Sequence, residues 1–293
     1  MKIKNLTHIL QLTGVLLIVL AFTSCEKDIQ VDVPKAEKKL VVEGSIEIND
    51  YARVFLTKNL PYFGTVDSTM LAQLIVLDAV VIVNDGSTYD TLKKVFNPDY
   101  FPPLFYQGTK LKGEIGKTYF LTVIDSGKTL TAATTIPTPI PLDSVWFKIE
   151  PHQDSLGYIW ATFTDPAESG NYYRLFTKRL HKDKIFTPIL MSIYDDKMFN
   201  GQSFQFSMMR GSNSLNSTTE DPEFGFFKLG DTIVVKACTI DKAHYDFWRT
   251  AEGEIYGGSN PFTTPTQIVT NIVGGGLGVW GGYGNSLYTI VAK

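Results

Sequence analysis

Gly276-Leu277-Gly278-Val279-Trp280-Gly281 has the glycine spacing of a dinucleotide-binding turn, where missing side chains let the backbone reach a pyrophosphate. That chemistry needs a strand before the turn, a helix after it and an acid about 20 residues on. Here more glycines follow instead. Gly116-Lys117-Thr118 and Gly127-Lys128-Thr129 end like a phosphate-binding loop, but Leu111 and Thr122 stand where its first glycine belongs. His152, His181 and His244 are far apart, and neither HExxH nor CxxC occurs, so a zinc site would need distant ligands to converge. His244 reads as a surface or packed histidine. No serine lies in GxSxG. Asp195-Asp196 with Asn200-Gly201 offers oxygen ligands without the alternation of a calcium loop, and reads as a polar turn. No pattern marks a carboxylate pair for glycoside cleavage. The expectation is a protein that is not an enzyme and needs no cofactor and no metal.

One cysteine does carry a chemistry. Lys2 and Lys4 precede a 14-residue, mainly apolar run from Ile9 to Phe22. That run is short for a bilayer span and the right size for a signal-peptide core. Small Thr23 and Ser24 then lead to Cys25. This resembles a bacterial lipoprotein signal, although Phe22 stands where leucine is commonest. Residues 1–24 are expected to be the signal peptide, Cys25 the lipidated residue and residues 25–38 a tether. One acyl chain anchors marginally and two or three anchor stably. Glu26-Lys27-Asp28 is similar to the surface-export signals of Bacteroidota lipoproteins, or else simply solvates the tether. The expected address is the outer membrane, lipid-anchored, at the cell surface. Cys238 then has no intrachain partner and reads as a small core residue.

Five Asp-Ser/Thr triplets begin at Asp67, Asp90, Asp143, Asp154 and Asp231, where random placement would give about one. They resemble the O-glycosylation acceptor triplet of Bacteroidota periplasmic and surface proteins, which would modify Ser68, Thr91, Ser144, Ser155 and Thr232. Alternatively, Asp and Ser/Thr simply suit the turn before a strand.

The elements that must position these residues are mostly strands. The chain has 293 residues, 44% hydrophobic and 13% aromatic, with a formal charge of −3. It is long enough for a buried core and lacks the basic excess that nucleic acid requires. Short β-rich runs with turns between them predict a mainly β protein of two β-sandwich domains, Ig/fibronectin-like, at 39–141 and 142–293. The boundary is set at Pro137-Thr138-Pro139-Ile140-Pro141, which cannot continue a ladder. One amphipathic helix is expected at 242–255, capped by Asp241 and turning Ala243, Phe247, Ala251 and Ile255 inward. A shorter helix at Thr69–Leu77 is the ambiguous case. The glycine-rich tail after Asn260 carries Trp280 and Tyr283, whose rings need cover from elsewhere. They either plug the second sandwich near Phe247 and Trp248, or form an exposed platform for a ligand or partner.

Several segments in order carry a resemblance. They are Cys25-Glu26-Lys27, Leu40-Val41-Val42-Glu43-Gly44, Leu60-Pro61-Tyr62-Phe63, Asp78-Ala79 and Asn84-Asp85-Gly86. Thr134-Thr135-Ile136-Pro137, Asp165-Pro166, Asn171-Tyr172-Tyr173-Arg174, Asp195-Asp196 and Asn200-Gly201 follow. Gly230-Asp231, Phe247-Trp248, Asn271-Ile272 and the glycine-rich Gly274–Tyr283 complete the order. The chain resembles the Bacteroidota lipoprotein family known only as domain of unknown function 4249. That family has no established catalytic residues to carry over. Its members often sit beside TonB-dependent receptors, which implies an accessory, substrate-capturing role in uptake of a small molecule or peptide. The alternatives are a structural subunit of an outer-membrane complex and a surface hydrolase built from scattered carboxylates.

Overall fold

Leu40–Glu47 sets the pattern of the fold: Leu40, Val42, Gly44 and Ile46 are buried, and the residues between them are not. Side chains alternate faces along a strand, so one row enters a core while the other looks out. The computed structural model describes residues 37–60, 73–211, 223–257 and 267–293 and holds sixteen strands. The alternation recurs in Tyr51–Lys58, Thr118–Asp125, Lys128–Thr135 and Leu156–Thr164, while Tyr172–Arg179, Thr232–Ile240 and the first half of Leu277–Val291 are buried on both faces. Cys25, Ser68, the signal segment, the tether up to residue 36 and Pro61-Tyr62-Phe63 lie outside the described residues.

The strands are β1 (Leu40–Glu47), β2 (Tyr51–Lys58), β3 (Val80–Asn84), β4 (Tyr89–Thr91), β5 (Lys93–Phe96) and β6 (Leu104–Lys112). Then come β7 (Thr118–Asp125), β8 (Lys128–Thr135), β9 (Ser144–Ile149), β10 (Leu156–Thr164) and β11 (Tyr172–Arg179). The last are β12 (Thr187–Asp195), β13 (Ser203–Met208), β14 (Phe227–Lys228), β15 (Thr232–Ile240) and β16 (Leu277–Val291). One helix, α1, spans Lys242–Gly257. The expected helix at Thr69–Leu77 is described only from Gln73; two helical residues there lead to Ile75, which bridges to Thr57 on β2.

The chain is mainly β, as its patterning implies. A large sheet runs β12-β11-β15-β16-β1-β2-β6-β5. A four-stranded sheet, β4-β3-β7-β8, backs one half of it. A second, made of β9, β10, β13 and β14, backs the other. The first core gathers Val42, Val54, Tyr119, Leu121 and Trp280; the second gathers Ile159, Met208, Phe227 and Ile233.

The division at Pro137–Pro141 needs correction. The prolines do carry the chain from the first core to the second, but the large sheet is continuous through both halves. β16 makes it so: Leu277–Tyr283 pairs parallel with β1, and Gly284–Val291 pairs antiparallel with β15. Residues 38–293 form one compact unit. Its physical cause is the dense glycine of the tail. Gly278 has φ +106°, and a Cβ there would lie 1.9 Å from the Val42 carbonyl oxygen. Only a residue without a side chain lets β16 come that close to β1.

The helix is also placed differently from its apolar stripe. Asp241 caps it, accepting the His244 N–H at 2.8 Å. The buried face, however, holds His244, Tyr245, Thr250, Ala251 and Glu252, while Ala243 and Ile255 are exposed. A strict spacing of four drifts round a 3.6-residue helix, and the sheet below presents polar groups that His244 and Glu252 must meet.

Candidate functional site

The outer face of the large sheet beneath α1 carries buried charge. Arg174 on β11 and Lys236 on β15 stand among apolar neighbours, and both are buried. The Arg174 guanidinium lies 3.5 Å from the centre of the Trp248 ring. Its Nη1 donates to the Tyr283 hydroxyl at 2.8 Å and its Nε to the Ser192 hydroxyl at 3.3 Å. Ser192 donates in turn, through its backbone N–H and its hydroxyl, to the two oxygens of Glu252 on α1. Lys236 donates to both oxygens of Glu47, at 2.8 and 3.0 Å, over the rings of Phe176 and Phe186. A buried charge without a partner would cost several kcal/mol. Lys236 is matched by Glu47, while Arg174 is held by two hydroxyls and the Trp248 ring and reaches Glu252 only through Ser192.

His244 is fully enclosed against Tyr283, their ring centres 4.6 Å apart. Burial, and then the nearby Arg174 charge, hold its pKa down at about 3 against a hydrogen bond with the Gly282 backbone. The ring is therefore neutral at physiological pH. Its Nδ1 has no partner among the described residues and faces Gly281, where a Cβ would lie 2.1 Å away. Burial likewise raises the Cys238 thiol to about 12, so it is inert. This cluster fixes the helix on the sheet and offers no accessible nucleophile or base.

The second sandwich contains a different feature. A cavity of about 120 Å³ is lined chiefly by Phe163, Tyr173, Tyr194, Phe199, Phe204 and Phe206. β12 is an edge strand of the large sheet and β13 of the smaller one. The Leu190 N–H donates to the Met209 carbonyl at 3.1 Å at one end of the gap, and among the described residues no further strand covers the rest. Tyr194, Phe199, Phe204 and Phe206 are half-buried at its mouth. An apolar cavity of roughly 150 Å³ is enough to hold a benzene ring. At about 120 Å³ this cavity is somewhat smaller than that and is apolar in its lining. Burial, followed by the Glu252 charge, raises the Tyr194 hydroxyl to about 12, so it stays protonated at the rim.

Beside this cavity, four segments prominent in the sequence close on one another. Asp165 accepts from the Tyr173 hydroxyl and from the Gly201 N–H. One oxygen of Asp196 accepts the N–H groups of Gly170 and Asn171, at 2.6 and 2.8 Å. Asp195 accepts from the Tyr245 hydroxyl at 2.9 Å. These carboxylates are consumed in holding loops, as a polar turn requires. No group of three or more His, Cys, Asp or Glu among the described residues is arranged for a metal.

The platform reading of Trp280 and Tyr283 is corrected by burial. Trp280 is fully buried in the first core rather than the second, its indole N–H donating to the Tyr119 carbonyl at 2.9 Å. Asn271 clasps its backbone, accepting from the Trp280 N–H and donating to its carbonyl. Tyr283 lies under α1 against Phe176 and His244. Successive odd and even residues of β16 face opposite sides of the sheet, so the two rings never meet.

Of the acceptor triplets, Thr91 and Ser144 are exposed, and Ser155 and Thr232 are half-buried. Asp90 is buried and accepts the N–H groups of Thr109, Lys110 and Leu111. Asp231 accepts the Lys228 N–H and pairs with Lys182 at 2.7 Å. Asp90 thus ties β4 to β6 and Asp231 closes a turn, while Asp143-Ser144 presents both residues to solvent.

The family model for a domain of unknown function (DUF4249) matches residues 26–288. No curated protein matches the chain.

Proposed function

The chain belongs to the DUF4249 family, and from that premise we propose that it is a non-catalytic Bacteroidota lipoprotein, anchored in the outer membrane by acyl chains on Cys25. On this reading it faces the cell surface and captures a small molecule or peptide for a TonB-dependent receptor. The observation that carries the reading is the aromatic cavity open between the edge strands β12 and β13. It accepts an apolar group, and its buried neighbours offer no chemistry to act on one. Among the described residues no helix is long and apolar enough to cross a membrane; on this reading the acyl chains on Cys25 supply the anchor.

A second reading, a structural subunit of an outer-membrane complex, draws on another face. The outward row of the β4-β3-β7-β8 sheet exposes Val80, Tyr89, Phe120 and Ile124 among threonines. It has no charged side chain in its paired positions, as suits contact with another protein. Phenol titrated against the protein separates the two. Capture predicts saturable binding, seen as shifts of Phe and Tyr ring resonances, and its loss in Ala237→Leu, which fills the cavity. No binding, or binding unchanged by Ala237→Leu, would leave only the structural reading.

A further inference from the structure

The outer face of the β9-β10-β13 sheet carries an aromatic surface separate from the cavity. Phe147, Ile159, Ala161, Phe163 and Met208 point into the second core, so the alternate residues of the same strands point out. Pairing in register places them in rows. Trp146 on β9 lies directly opposite Trp160 on β10, which lies opposite Ser207 on β13. The two indoles are nearly parallel, at 24°, with centres 6.5 Å apart. One step along, Lys148 opposes Tyr158, and Tyr158 stacks on Phe226 at 19° and 5.0 Å. One step the other way, Ser144, Thr162 and Gln205 form a row, followed by Thr164 with Ser203. The four aromatic residues are half-exposed, and Ser144, Thr164, Ser203, Gln205 and Ser207 are exposed. The helix α1 packs on the other side of the molecule, against β11, β12 and β16.

We propose that this face is a binding platform for neutral carbohydrate. A sugar ring has an apolar C–H face and a rim of hydroxyls. The aromatic rows supply rigid surface for the first at little entropic cost, and the adjoining hydroxyl and amide rows supply donors and acceptors for the second. Charge narrows the class of ligand. The paired rows hold two cations: Lys148 lies over the Trp160 ring at 5.2 Å, and Lys228, opposite Leu156, pairs with Glu223 at 3.4 Å. Of the carboxylates nearby, Asp143 accepts from the Thr164 hydroxyl at 2.8 Å, and Glu150 lies close enough to Tyr158 that burial, followed by the Glu150 charge, raises the pKa of its hydroxyl. A polyanion would need several cations here, so nucleic acid and acidic polysaccharides do not fit. An apolar lipid surface would leave the serine, threonine and glutamine rows unpaired. The biological sense of the platform rests on the capture reading above; binding itself is measured on the protein alone, so its outcome is independent of any receptor.

The test is native affinity electrophoresis of the acylated protein in detergent, through gels holding dextran, mannan, a β-1,3-glucan or xylan, with heparin as the charged comparison. Tryptophan fluorescence with the same soluble polysaccharides gives affinities. The expected result is retardation by at least one neutral polysaccharide, insensitive to 0.5 M salt. Trp146→Ala and Tyr158→Ala should each weaken it at least tenfold, and Gln205→Ala, at an exposed position that does not touch the core, should weaken it severalfold. Ala237→Leu in the cavity should leave it unchanged. Absence of retardation by every neutral polysaccharide, retardation by heparin alone, or full affinity in Trp146→Ala and Gln205→Ala would overturn the proposal.

Discussion

Acid should loosen the helix through one residue. His244 has an ordinary pKa of 6.5 and a folded-state value of about 3. Its neutral form is the one the fold accepts, so the unfolded chain binds the extra proton. Stability from this group is complete above pH 6.5 and is lost as pH falls towards 3. At pH 5 the difference corresponds to about 2 kcal/mol, since each pH unit below 6.5 contributes about 1.4 kcal/mol. For a unit of this size that lowers Tm by roughly 4–8 °C. The groups around the ring sharpen the effect. Arg174 is a fixed positive charge beside it, Tyr283 presents a ring, and both Asp241 oxygens are occupied by the His244 N–H and the Thr134 hydroxyl. None of them offers a new partner for an imidazolium. The assay is differential scanning calorimetry of the wild type and His244→Gln at intervals from pH 7.5 to 5. Gln keeps a polar side chain and cannot titrate, so its Tm should be flatter over this range, whatever its absolute value. An equally steep fall in both proteins would refute the assignment of this slope to His244.

Other consequences follow from the same packing. Trp280→Ala empties the largest fully buried side chain of the first core and strands the Tyr119 carbonyl. It should cost about 3–5 kcal/mol, measured by urea unfolding. A fragment of residues 39–141 should fail to fold alone, because it leaves β1 without its β16 partner; circular dichroism and one-dimensional NMR would show this. Cys25→Ala should abolish incorporation of a fatty-acid analogue and release the protein from the membrane fraction.

The sequence carried some of this architecture openly and some hardly at all. Asp125-Ser126-Gly127-Lys128 reads as a hairpin because the turn needs positive φ, and Ser126 and Gly127 adopt 48° and 77° between β7 and β8. Ser87–Val95 reads as one strand, yet buried Leu92 divides it and passes the chain from the small sheet to the large one. β16 is invisible to propensity, since glycine is a poor strand former; its two partner strands impose it. The helix turns another face to the sheet than its stripe of apolar residues implies, because that stripe says nothing of Arg174 and Tyr283 beneath. A signal did exist for that cluster, in Arg174 set between Tyr173 and Leu175 and in Lys236, the one cation of the run Thr232–Ile240. Trp146 and Trp160 are fourteen residues apart and become a pair only through the antiparallel register of β9 and β10. Alternation places each of them outward, but only the pairing shows what they form together.

The central claim, capture on behalf of a receptor, is tested most directly by what the anchored protein touches. The protein should be tagged at its C-terminus, crosslinked in living cells at native abundance, extracted from outer membranes and purified, and its partners identified by mass spectrometry. The account predicts that a TonB-dependent receptor is the principal partner, and that Cys25→Ala removes it. Purification with other outer-membrane proteins and no such receptor would contradict the account.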